Sequence, residues 1–299
     1  MKFIAPIGAL VIAGGMSVAP MVAGTGGSAA AAPPPGVSVS GLSYAPAVHL
    51  PGTHLPHAGL ENMTYYSGNW SGYVDIAHAG KAFSYAATTF TIPVQSAAMK
   101  AQCNSASQFD SSGQSDASYW VGLDGWTNGT VEQTGVDSQC YWTGTKWVDA
   151  PYAWYEMYPA KPVALSGVNP GDKIAVSVTY KGSQHWLLVL KDLTNHRGFS
   201  VTAALPSGNT GHNSSAEVIT ETPGGGPPGG VFTASFGRVS YVSTAVKSGS
   251  VTGRMVSSSY WSGGNVIEER GASGGDLTSV QSALGSGGSA FTSTWKNPF

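Results

Sequence analysis

The chain has 299 residues, and its 14 Lys+Arg and 16 Asp+Glu leave only 10% of it charged, against about 25% in an average soluble domain. A net charge of −2 with 9 Trp, 13 Tyr and 9 Phe excludes a disordered chain, and so few cations exclude the basic face that nucleic-acid binding needs. Its 41 Gly are roughly double the usual share of about 7%, which together with abundant Ser and Thr favours strands and turns over helical bundles.

Lys2 is the only formally charged side chain up to Leu60, and an apolar run from Phe3 to Val18 and small residues from Ala23 to Ala32 follow it. A positive start, a short apolar core and a small-residue exit predict a secretory signal peptide over residues 1–32 and a secreted, extracellular product. Gly8, Gly14, Gly15, Ser17 and Pro20 interrupt the run, whereas a bilayer span needs about 20 apolar residues. No membrane association is therefore expected once the signal is removed. Residues 33–62 open with Pro33-Pro34-Pro35, have no clear periodicity and read as a linker or a removable propeptide. Their His49, His54 and His57 lack a fourth ligand and a strand pattern, so they are read as groups whose protonation helps release in acid and not as a metal site.

Residues 63–299 are expected to form one domain, since an all-β domain routinely reaches that size. Strands are predicted over 82–92, 118–123, 130–136, 150–158, 173–180, 186–190, 216–221, 232–240 and 290–295. Turn signals separate them: Asn-Gly at 128–129, Asn-Pro-Gly at 169–171, Lys-Gly at 181–182 and the Gly/Pro run 223–230. Asp276 to Leu284 is the one helical candidate. Many strands with regular turns predict an all-β fold, an antiparallel β-sandwich or jelly roll. Cys103 and Cys140 are expected to form a disulfide, two cysteines in an exported chain being an even count in an oxidising compartment.

Strand alternation sorts the polar residues onto faces. Val131, Gln133, Gly135 and Asp137 fall together, as do Tyr152, Trp154, Glu156 and Tyr158. So do Trp120, Gly122 and Asp124, and Glu217, Ile219 and Glu221. Faces that mix carboxylates and one amide with aromatics suggest a groove for an extended polymer. Asp75, Asp172, Asp192, Glu268 and Glu269 are expected in salt bridges or turn caps. His78, His185, His196 and His212 show no H-E-x-x-H spacing, so neither metal nor cofactor is expected. Gly271-Ala272-Ser273-Gly274-Gly275 fits G-x-S-x-G but lacks the strand-to-helix context of a serine nucleophile. Glu156 and Glu221 could serve as the two carboxylates of a glycoside hydrolase, or the groove could bind polysaccharide as a lectin does. Neither reading accounts for Gln133.

Five segments come in one order: Asn69-Trp70-Ser71-Gly72-Tyr73, Trp120-Val121-Gly122-Leu123-Asp124-Gly125, Gln133-Thr134-Gly135-Val136-Asp137, Trp154-Tyr155-Glu156-Met157-Tyr158-Pro159 and Ala216-Glu217-Val218-Ile219-Thr220-Glu221. Together they closely resemble the glutamic peptidases, or eqolisins, and Phe232-Thr233-Ala234-Ser235-Phe236 resembles the strand that follows. The resemblance implies a concanavalin A-like sandwich made as a prepro-form, acting on polypeptides in acid, and the chain is expected to be a monomer. It implies a catalytic pair of Gln133 and Glu221, with Asp124, Asp137 and Glu156 lining or supporting the site and Trp70, Trp120, Trp154 and Tyr158 as its aromatic lining. Thr222 and Pro223 stand where the family commonly has a further acid, Tyr152 stands where an acid can occur, and the cysteines of fungal members are not matched. The chemistry implied is a Glu general base on water and a Gln amide that donates to the oxyanion without a titration of its own.

Overall fold

Short runs of β-branched, aromatic and small residues, punctuated by Gly, Pro and Asn, pair into eighteen strands among the described residues of the computed structural model. It describes residues 44–50, 63–94, 115–142, 145, 147–165, 167–225, 232–271 and 276–296. One wall runs by backbone pairing through β11 (Arg197–Ala204), β10 (His185–Asp192), β9 (Lys173–Gly182), β4 (Phe83–Thr91) and β14 (Arg238–Ser248). The other runs through β16 (Trp261–Arg270), β3 (Trp70–Ala77), β12 (Ser215–Glu221), β5 (Ser115–Leu123), β6 (Val131–Trp142), β7 (Trp147–Tyr158) and β8 (Val163–Leu165). Along one edge β18 (Phe291–Trp295) pairs with β14, β17 (Leu277–Gln281) pairs with β16, and the two pair with each other. The walls are thus one curled sheet folded over an interior. The short strands are β1 (His49–Leu50), β2 (Thr64–Ser67), β13 (Phe232–Thr233) and β15 (Val251–Gly253). Named strand pairings are antiparallel except β2 with β16 and β5 with β13.

The interior holds one apolar cluster that includes Phe90, Tyr119, Val121, Leu123, Val136, Trp186, Leu188, Val218 and Tyr241. The opposite face of the site-bearing wall builds a second cluster with Trp70, Trp120, Trp126, Tyr152, Trp154 and Ile219. Each buried aromatic removes about 150–250 Å² from water, worth several kcal/mol at about 25 cal/mol per Å². Two glycines of the family-like segments are steric necessities. A Cβ on Gly135 would lie 2.3 Å from Tyr119 O and 2.5 Å from Trp120 Cβ; one on Gly72, at φ +153, would lie 2.1 Å from Val218 O.

Several expectations change. The strand expected over 130–136 continues to Trp142, and the one expected over 232–240 breaks, because Phe236 N closes a tight turn on Ala234 O and Gly237 follows at φ 66. Asp276 to Leu284 is not helical: Leu277–Gln281 pairs with β16 and β18, whose open backbone groups decide between the two readings of a short segment. Asp172 and Asp192 cap turns as expected, accepting from Asn169 N and from Thr194 and Asn195 N. Asp75 does not: it is buried, and its Oδ1 accepts from Gly264 N where the register of β16 on β3 shifts. Cys140 is disulfide-bonded on β6; Cys103, the serine motif at 272–275, His54, His57 and the signal region lie outside the described residues.

Candidate active site

Cross-strand register arranges the polar face of the wall into rows. Glu217, Gly122, Gln133 and Glu156 stand opposite one another across β12, β5, β6 and β7; the next row is Ile219, Trp120, Gly135 and Trp154, and the next Glu221, Ser118, Asp137 and Tyr152. Small residues in β5 and β6 leave room over which the larger side chains converge. Gln133, Glu156, Asp137 and Glu221 are all fully buried.

Residues 44–50, which carry no strand pattern in the sequence, lie in this groove. Tyr44 is fully buried, its ring stacked on Trp154 with centroids 3.8 Å apart and planes 10° apart. Gln133 Nε2 donates to Tyr44 O at 2.5 Å and to Glu156 Oε2 at 2.8 Å. Ala45 O accepts from Trp70 Nε1 at 3.0 Å and from Asn69 Nδ2 at 3.3 Å. Further along, Ala47 N donates to Gly125 O, Val48 N to Asn69 Oδ1, and Gly68 N to Val48 O, after which β1 pairs with β2. The segment is held mainly through its backbone, as an extended peptide is.

Glu221 meets the same stretch through Asn69, whose Nδ2 donates to Glu221 Oε1 at 3.3 Å; Trp120 Nε1 donates to Oε2 at 2.9 Å. Burial pushes the Glu221 carboxyl up, the negative field of Glu156 adds to this, and the Trp120 and Asn69 donors oppose it. Burial also raises Glu156 to about 9, against the Gln133 amide and the Tyr44 backbone. Asp137 is pushed up by burial and then by Asp116, while the Tyr44 hydroxyl pulls it down.

Of the residues expected here, Gln133, Glu156, Trp70, Trp120, Trp154, Asp137 and Glu221 converge on the groove. Tyr158 is half-buried beside the same aromatic cluster. Asp124 does not join them: past the end of β5, at φ 68, its carboxylate accepts from the backbone N of His212, Asn213 and Ser214 and from Asn128 Nδ2. It therefore clamps the 212–214 loop. Three contributors were not expected. Asn69 opens the segment Asn69-Trp70-Ser71-Gly72-Tyr73, but nothing in a sequence shows that an amide bridges two strands. Trp126 packs edge-on against His49 and Tyr65. Glu269, expected in a salt bridge or turn cap, is buried beside the site and raised to about 8 by burial.

A model of the Peptidase A4 family matches residues 68–290. Aspergillopepsin-2 of Aspergillus niger is 33% identical over 218 residues, 68% of this chain and 73% of that protein. Among solved structures, scytalido-glutamic peptidase with a transition state analog inhibitor is similar at a TM-score of 0.55 and 26% identity, over 76% of this chain and 98% of that one. Aspergilloglutamic peptidase from Aspergillus niger is similar at a TM-score of 0.51 and 26% identity, over 61% of this chain and 99% of that one.

Proposed function

Because this chain belongs to the peptidase A4 family of glutamic peptidases, and is thus an acid endopeptidase acting on polypeptides, we propose that Gln133 and Glu221 are its catalytic pair. The observation that carries this is Gln133 Nε2 lying 2.5 Å from the Tyr44 carbonyl oxygen, with Asn69 tying Glu221 to the carbonyl of Ala45. Glu221 takes a proton from water as the water oxygen attacks the carbonyl carbon, and Gln133 Nε2 donates to the developing oxyanion. Glu221 then returns the proton to the departing nitrogen, the C–N bond breaks, and a carboxylic acid and an amine leave. Glu156 positions the amide: its hydrogen bond with Nε2 determines which end of Gln133 faces the oxyanion.

In the filled groove burial pushes the Glu221 carboxyl up, toward the protonated form that cannot act as a base. This supports reading residues 33–62 as a propeptide whose described part, residues 44–50, must leave the groove before substrate enters, behind a signal peptide at 1–32 that directs a monomeric enzyme out of the cell. The test is hydrolysis of denatured protein at acid pH by Glu221→Gln and Gln133→Ala. Loss of activity in both is expected; wild-type proteolysis by either overturns the pair.

A further inference from the structure

Most of what holds residues 44–50 is backbone, and backbone contacts carry no side-chain preference. The side chains of Tyr44 and His49 are also held, His49 against Trp126 and Tyr44 beside Gln133. The Tyr44 carbonyl oxygen rests on Gln133, so Tyr44 occupies the place of the residue that supplies the acyl half of the broken bond. Its ring lies flat on Trp154. Its hydroxyl donates to Asp137 Oδ2 at 2.9 Å and lies 2.9 Å from the hydroxyl of Tyr152, which then donates to it. A phenol satisfies both partners at once, being donor and acceptor in one atom.

Register builds this pocket into the rigid wall. Asp137 and Tyr152 face each other across β6 and β7, and Gly135 faces Trp154 two residues away. Tyr152 sets a hydroxyl beside Asp137 in this pocket, and Tyr44 reaches both. Both residues are fully buried. A side chain of the same shape without a hydroxyl would leave these buried polar groups unpaired, which is the costly half of hydrogen bonding.

We propose that Trp154, Asp137 and Tyr152 form the subsite for the side chain on the acyl side of the scissile bond, and that this subsite selects tyrosine. The inference rests on the Gln133–Glu221 reading, which identifies the carbonyl under attack. Asp137 and Tyr152 are specificity-determining residues; neither takes part in proton transfer.

The test uses the full chain, activated in acid, on peptides that differ only in Tyr, Phe or Leu at the acyl side of one cleavable bond, with products mapped by mass. The kcat/KM ratio of Tyr to Phe should be roughly 10–100, the value of one or two buried hydrogen bonds. Tyr152→Phe keeps the ring and should lower that ratio several-fold; Asp137→Asn should lower it further. A ratio near one in the wild type, or a ratio that Tyr152→Phe leaves unchanged, overturns the subsite. Glu221→Gln on the same peptides separates the two readings. If it still cleaves, the catalytic pair is wrong; if cleavage needs Glu221 but ignores the tyrosine hydroxyl, the subsite alone fails.

Discussion

β5, β6, β7 and β12 present two unlike surfaces from the same strands. Toward the interior they turn Ala117, Tyr119, Val121, Leu123, Val136, Ala153, Met157 and Val218. Toward the groove they turn Trp120, Tyr152, Trp154 and Ile219, with Gln133, Asp137, Glu156 and Glu221 set among them. The first face is stabilised by removing apolar surface from water, a term indifferent to pH. The second buries carboxyl groups, and burial favours them only while they hold a proton. One wall can therefore be a rigid core and a chemical site at once, but only in acid does its polar face cost little.

The largest effect expected from breaking this division is on catalysis. Glu221→Gln should abolish proteolysis, and Gln133→Ala should lower kcat on the order of 10²–10³-fold, as loss of one oxyanion donor does. Glu217 is the discriminating control. It shares a face of β12 with Glu221, and a Cβ on Gly122 would lie 3.0 Å from its Oε1 and 3.3 Å from Gln133 Cβ, yet its carboxyl interacts with Asp124, Glu132 and Asp75. Glu217→Gln should keep most activity. A dead Glu217→Gln beside an active Glu221→Gln would exchange their roles.

On the interior face, Leu188→Ala should cost about 2–5 kcal/mol of unfolding free energy, equally at acid and neutral pH, as denaturant titrations at both would show. The groove face should respond differently. Burial raises Glu217 and Glu221 well above ordinary carboxylates and Glu156 to about 9, with Asp124 adding to the shift of Glu217 and Glu156 to that of Glu221. For a raised carboxyl the sign is as follows. No stability is lost below the unfolded pKa near 4; above it the unfolded chain ionises first, and stability falls until the folded pKa is passed. Each group contributes up to about 1.4 kcal/mol per pH unit within that window. The enzyme should thus be more stable in acid than at neutrality, and Glu217→Gln should flatten the decline. An unchanged slope in that variant would assign the pH dependence elsewhere.

The smallest expected effect concerns the segment in the groove. Tyr44→Ala removes the stack on Trp154 and two hydroxyl contacts, leaving backbone bonds. After transfer of the full chain to acid, proteolysis should begin with a shorter lag than in the wild type, while final activity is the same. An equal lag would show that the backbone contacts alone hold the segment.

Much of the site could be read from spacing, because a strand's side chains alternate with period two. Gln133 beside Asp137, and Glu156 beside Trp154, follow from that rule alone. Strand β3 was missed because Gly72 interrupts its pattern, and β16 because Gly263 and Gly264 fall inside it, at the point where its register shifts. Asp124 was placed in the groove by alternation, but a left-handed turn right after β5 takes it out of the strand.

By itself, then, the sequence determined the fold class, the faces of β6, β7 and β12, and the family through five ordered segments, since these depend on local periodicity and on steric demands at Gly72 and Gly135. Which residues meet across strands was decided only by the tertiary structure. Asn69 joins Glu221 to Ala45, Glu269 closes in beside the site, and Tyr44 fills a pocket made by residues about a hundred positions away. Such contacts are set by inter-strand register, and register is a property of paired strands that no single strand contains.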